Sequence, residues 1–129
     1  MAITSGILLD THNWIWLIMG ELVSDGKVQK TMEAAAIADK VFLCSISLLE
    51  VANAFRRDKV NIGIPLGIWF QSALRSPGVR LIDITSEIAF DTMSLPTAFH
   101  GDSGDRIIAA TARVNGLTLC THVALASRA

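Results

Sequence analysis

Four carboxylates define the chemistry open to this chain. His100-Gly101-Asp102-Ser103-Gly104-Asp105-Arg106 is a short acidic turn that runs directly into the apolar-periodic segment Ile107, Ile108, Ala109, Ala110 and Ala112. A helical first turn would bring Asp102 and Asp105, three residues apart, to one side of the same helix end. Asp10 closes the fully apolar run Ile7-Leu8-Leu9, and Glu50 lies in the first turn after the apolar run Val41-Phe42-Leu43-Cys44.

Carboxylates gathered without Cys ligands suit hard cations. Mg²⁺ or Mn²⁺ takes oxygen ligands and keeps several waters for a substrate phosphate. Two such ions about 4 Å apart can stabilise both the attacking and the leaving oxygen of a phosphodiester displacement. Without a cation the like charges repel and raise some of the pKa values; a bound metal removes that cost.

Each acid also has a purely structural explanation. Ser47-Leu48-Leu49-Glu50 has the spacing of a capping box, Asp102 and Asp105 fit the N-cap and N3 positions of their helix, and Asp10 can initiate a turn. Capping accounts for an acid at a helix start. It does not explain why an acid closes the apolar strand at Asp10, where Ser or Gly would serve.

The elements that must position these acids alternate. Gly6 to Leu9 reads as a central strand, buried on both faces, followed by a short apolar helix from Trp14 to Met19 and a second helix from Val28 to Ala38. Val41 to Cys44 is the next strand, and Leu48, Leu49, Val51, Ala52 and Phe55 have helical spacing, ending on the basic residues Arg56, Arg57 and Lys59. Pro65 suits the first turn of a helix over Leu66 to Leu74, stopped by Ser76-Pro77-Gly78. Val79 to Ile84 is a third strand, Ser86 to Leu95 a helix, Ser103 to Val114 a helix stopped by Asn115-Gly116, and Leu117 to Thr121 the last strand. The tail from His122 has room only for a short helix.

This order implies right-handed βαβ units, hence an α/β fold: a mostly parallel sheet of four to five strands in a three-layer α/β/α sandwich, built as a single domain over residues 1–129. In such a sheet ligands bind outside the carboxyl ends of the strands. Asp10, Glu50, Asp102 and Asp105 all fall at that edge and could converge there. His12 and His100 flank the acids, and Arg106 with the Arg56, Arg57 and Lys59 cluster could touch phosphates.

Composition narrows the classes. The 129 residues carry a net charge of −1, so a nucleic-acid substrate must be gripped locally rather than by bulk positive charge. Mean hydropathy of +0.47 is high, yet no apolar run reaches the ~18 residues of a membrane span, so surplus apolar surface is expected to meet another protein. Met1 to Gly6 shows no basic leader, making the cytoplasm the expected location. Cys44 and Cys120 both sit in apolar strands without metal-ligand spacing and are expected to be buried free thiols.

Taken together, Leu8-Leu9-Asp10-Thr11-His12 with Trp16-Leu17, Ser45-Ile46-Ser47-Leu48-Leu49-Glu50-Val51, His100 to Ala112, and Gly116 to Thr121 resemble the ordered signatures of PIN domains of the VapC toxin type. The resemblance implies a compact, usually dimeric α/β/α ribonuclease, the toxin of a type II toxin–antitoxin pair. It would hydrolyse RNA, often structured RNA such as tRNA, with Mg²⁺ or Mn²⁺, and be held inactive by an antitoxin laid across its site. By motif match, Asp10, Glu50 and Asp105 are the metal-binding and catalytic acids and Asp102 the additional acid of the third block. Thr11, His12, Ser47 and Arg106 are then the residues placed to contact substrate phosphate.

Two positions depart from the pattern. Ser103 stands where the family usually has Pro, and Thr121 is followed by His122 and Val123 where the family commonly has an acid. The alternative reading is therefore a PIN-like module that binds RNA or antitoxin with weakened catalysis. A phosphatase-like reading with Asp10 as nucleophile is disfavoured, because that chemistry wants a second acid two residues on, where His12 stands.

Overall fold

The computed structural model describes residues 6–19, 26–75, 79–96, 103–120 and 125–126. Three short strands, β1 (Ile7–Leu9), β2 (Val41–Cys44) and β3 (Val79–Ile82), run parallel, with β2 between the other two. On the far side of β1 lies β4 (Thr118–Cys120), also parallel, and β5 (Leu125–Ala126) pairs with it antiparallel. The order β3-β2-β1-β4-β5 puts β1 at the centre of a five-stranded sheet. Its residues Ile7, Leu8 and Leu9 are wholly buried, as an unbroken apolar run should be.

Side chains alternate across the strands, and each face has its own core. Ile7 and Leu9 of β1 with Val41 and Leu43 of β2 pack beneath α1 (Thr11–Met19), α2 (Gly26–Ile37), α3 (Ile46–Arg56) and α4 (Leu66–Arg75), where Trp14, Met32, Val51 and Trp69 fill the layer. Leu8 and Cys44 point the other way, into a cluster with Ile108 and Ala112 of α6 (Ser103–Asn115) and Leu117 just beyond it. Beside α6 stand α5 (Ser86–Asp91) and a 3₁₀ turn, Thr92–Ser94. The sandwich of helices, sheet and helices expected from the alternating pattern is thus realised, and both cysteines are buried and free.

Three expectations need correction. Where a short helix was expected in the tail, its described residues Leu125–Ala126 pair with Leu119 and Cys120 as an edge strand, satisfying backbone groups that β4 would otherwise expose. The segment read as one helix from Ser86 to Leu95 tightens after Asp91 into the 3₁₀ turn. The helix expected to start at Trp14 begins three residues earlier at Thr11, because Asp10 caps it. The expected break at Ser76-Pro77-Gly78 lies outside the described residues.

Gly6 fixes how β1 enters the sheet. It has φ +98, its carbonyl accepts from Thr118 N–H at 3.2 Å, and a Cβ there would fall 2.7 Å from the Lys40 carbonyl oxygen and 2.8 Å from the Phe42 ring. One of those neighbours is backbone and cannot yield cheaply. Gly6→Ala is therefore expected to cost about 2 kcal/mol or more from the left-handed conformation and the clash together, read as a lowered urea midpoint at unchanged m-value. A midpoint equal to that of the parent protein would show that β1 starts differently.

Candidate functional site

The site begins where β1 ends. Asp10 continues the ladder, its N–H donating to the Cys120 carbonyl at 3.0 Å, so the strand is still extended when it delivers the carboxylate. One oxygen, Oδ1, accepts from the Asn13 N–H at 2.8 Å and caps α1. Alternation places Asp10 on the same side of β1 as Leu8, the side that α6 covers.

α6 returns the chain to β4, which is parallel to β1, so its first turn lies at the carboxyl edge of the sheet where Asp10 stands. Ile108 of α6 shares a core cluster with Leu8. From that pair, Asp105 lies three residues, or roughly 4.5 Å, back along α6, and Asp10 lies two residues, or roughly 6.6 Å, on along β1. Both offsets lead toward the same edge. Asp105 itself is exposed, and Gly104 beside it is buried, letting the first turn sit close against its neighbours. Asp102, the fourth acid, and His100 lie outside the described residues, as do Thr121, His122 and Val123.

Glu50 reaches the edge from α3. The capping-box explanation fails: α3 starts two residues earlier than that motif requires, at Ile46, and its N-cap Ser45 makes no side-chain capping bond. Ser47 and Glu50 turn to Thr11 instead. Thr11 Oγ1 donates to Glu50 Oε1, since an ionised carboxylate can only accept. The Ser47 hydroxyl, buried and 2.9 Å from Thr11 Oγ1, is then left to donate to it. This chain of hydroxyls ties the start of α1 to the first turn of α3 and fixes which way Glu50 faces.

The remaining sequence-derived candidates separate. His12 is exposed on α1, its ring 6.4 Å from that of Trp16 and tilted by 57°. Arg106 donates Nη2 to the Thr92 carbonyl at 2.9 Å, so at least one arm of its guanidinium ties α6 to the 3₁₀ turn. Among the described residues, no three His, Cys, Asp or Glu side chains stand close enough to enclose a metal unaided. The oxygen-only donors nevertheless fit Mg²⁺, which is usually held by one or two carboxylates, several waters and substrate phosphate.

Sequence reasoning overlooked Asn13. It is fully buried, and its Nδ2 donates to the Cys120 carbonyl at 3.0 Å and contacts Cys120 Sγ at 3.3 Å, while its backbone N–H holds Asp10. A polar residue beside the apolar run from Trp14 was the available signal; it was absorbed into the approach to the helix. Asn13 locks the Asp10 turn onto β4.

Cys120 reports on this corner. Burial, then the neighbouring Asp10 charge, push its thiol from 9.0 up to about 12, against a lowering from the Asn13 hydrogen bond. Above pH 9.0 the unfolded chain releases this proton while the folded chain keeps it, so stability is fully present below pH 9.0 and is lost as pH rises toward about 12. Cys120→Ala should flatten that alkaline decline in denaturant melts taken between pH 8 and 11. A decline of the same slope in the variant would place the titrating group elsewhere.

A family model described as PIN domain matches residues 7–122. Ribonuclease VapC22 of Mycobacterium tuberculosis is 31% identical over 116 residues, spanning 89% of this chain and 85% of that protein. A toxin-antitoxin complex from Klebsiella pneumoniae is similar in fold, with TM-score 0.59 and 22% identity, covering 88% of this chain and 83% of that one. So is VapBC2 from Rickettsia felis bound to a DNA fragment from its promoter, with TM-score 0.63 and 19% identity over 88% and 84% of the two chains.

Proposed function

This chain belongs to the PIN-domain family, and from that premise we propose that it is a divalent-metal-dependent endoribonuclease, the toxin of a VapBC-type toxin–antitoxin pair. The single observation that supports it most is the arrival of Asp10, Glu50 and Asp105 from three separate elements at one edge of the sheet, with Glu50 aimed by Thr11 rather than spent on capping.

In this reading Asp10 and Asp105 hold the cation, while Glu50 and Asp102 orient the attacking water. Bound there, Mg²⁺ or Mn²⁺ would stabilise charge on the phosphate and lower the pKa of water. Thr11 and Ser47 hold Glu50 in line before substrate arrives. His12, exposed on α1, meets the substrate, and Arg106 keeps the Asp105 turn in place through Thr92.

The partners follow from the same reading: RNA as substrate, structured RNA such as tRNA included, and an antitoxin covering the site. A second copy of the chain is proposed as a further partner, meeting exposed apolar side chains such as Phe90 of α5 and Met93 of the 3₁₀ turn. Among the described residues no helix is long and apolar enough to cross a membrane, and the cytoplasm is the proposed setting.

Purified protein should cleave RNA with added Mg²⁺ or Mn²⁺, lose that activity in EDTA and recover it when Mn²⁺ is restored in excess. Cleavage persisting in EDTA would remove the metal from the mechanism. Absence of cleavage at every Mn²⁺ concentration would instead favour the binding-module alternative.

A further inference from the structure

Beside the acids runs a groove that shares Glu50 with them and otherwise lies outside the metal site. It lies between α1 and the carboxyl half of α3, encloses about 680 Å³, and is lined on one side by His12 and Trp16 and on the other by Asn53, Arg57 and Lys59, with Glu50 toward the acids. That volume is in the range that buries a small organic ligand. Its two walls differ in chemistry. The α1 wall is aromatic, with Trp16 half-buried and His12 exposed; the α3 wall is basic, with Arg57 and Lys59 exposed.

The basic wall is shaped by how α3 ends. Asp58 takes φ +56, its N–H donates to the Phe55 carbonyl at 3.1 Å, and Lys59 N–H donates to the Ala54 carbonyl at 2.8 Å. This left-handed stop reverses the chain between Arg57 and Lys59. Arg56, by contrast, gives its Nη2 to Asn53 Oδ1 at 3.3 Å. A helix carboxyl end favours basic residues by itself. That does not account for an aromatic wall facing them across an open groove.

Resting on the nuclease reading for the position of the scissile bond, we propose that this groove is a subsite for an unpaired RNA nucleotide next to the cleaved phosphate. The base lies against Trp16 and His12, and its phosphate meets Arg57 and Lys59. Aromatic faces opposite cations are how proteins hold single strands. A paired base keeps its faces stacked in the duplex and cannot enter, so the groove selects loops and single-stranded ends. In a chain of net charge −1, this is the local grip that RNA requires.

The test is binding without cleavage: fluorescence anisotropy of a labelled single-stranded RNA of about ten nucleotides, with the full chain in EDTA, and the RNA checked on a gel afterwards. Trp16→Leu, which keeps apolar bulk against the core, should weaken binding roughly tenfold. Arg57→Gln with Lys59→Gln, both exposed and safe for folding, should reduce the slope of log affinity against log salt by about 1.4, two phosphate contacts' worth. Lys27→Gln with Lys30→Gln, on α2 away from the groove, should change neither. Wild-type affinity and slope in the groove variants, an equal loss in the α2 variant, or equal binding of duplex RNA would each overturn the proposal. So would unchanged RNA affinity accompanied by weaker capture of the antitoxin, which would give the groove to protein. A chain that fails to cleave under any condition but binds single strands through these residues would refute the nuclease reading alone.

Discussion

Replacing Asp10 by Asn is expected to abolish RNA cleavage, by roughly 10³-fold or more and so by about 4 kcal/mol of transition-state stabilisation, while leaving the fold intact. The asymmetry comes from the two jobs this side chain does. Its Oδ1 caps α1 by accepting from Asn13 N–H, and an Asn side chain offers the same acceptor with nearly equal capping strength. The negative charge is what disappears, and with it the capacity to hold a cation. Asp10→Asn should therefore melt within a few degrees of the parent protein and lose Mn²⁺ affinity by titration calorimetry. Cys120 gives an internal control: the Asp10 charge helps raise its thiol, so its titration should shift down toward the usual range in the variant. Undiminished cleavage by a folded Asp10→Asn protein would remove Asp10 from the reaction.

Trp14→Ala should act on the scaffold instead, and nearly as severely. Trp14 is fully buried under α1 and meets Trp69 of α4 edge to face, with ring centroids 5.0 Å apart at 62°. Truncating a buried Trp leaves a large cavity and costs about 4 kcal/mol. Against a total stability of about 5–15 kcal/mol that is a large fraction, equivalent to a fall in Tm on the order of 15 °C. Trp14→Phe should be far milder. It keeps an aromatic ring against Trp69 and removes an indole N–H that is buried with no acceptor among the described residues. Thermal melts of the two variants that differed by less than a few degrees would mean that the α1–α4 contact is not what holds this layer.

The two variants separate what was legible in the sequence from what was not. The sheet could be read because its signals are local and redundant: an unbroken apolar run at Ile7 to Leu9, strands alternating with helical spacings, and Asn115-Gly116 stopping α6, where Gly116 indeed takes φ +65. Asp10 stood out for the same reason, as an acid where burial on both faces should end. The role of Ser47 and Glu50 was not local. Their spacing fits a capping box, and only the packing of α1 against α3 reveals that both turn to Thr11, 36 and 39 residues away in sequence. Asn13 was missed because its partners are on β4, 107 residues on. The tail misled for a related reason: pairing Leu125–Ala126 with β4 depends on an open sheet edge, which the residues after Thr121 do not announce.

One physical relation underlies the rest. The parallel βαβ path brings the ends of β1 and β2 and the start of α6 to one edge, where, on the proposed reading, oxygens far apart along the chain share a divalent ion. Anomalous diffraction from a crystal soaked in Mn²⁺ measures this most directly. The account predicts a peak with carboxylate oxygens of Asp10 and Asp105 each at roughly 2.0–2.4 Å and waters completing the shell. A lattice in which Mn²⁺ binds only away from Asp10, or in which the Asp10 and Asp105 carboxyl groups lie too far apart for any single ion to touch both, would contradict it.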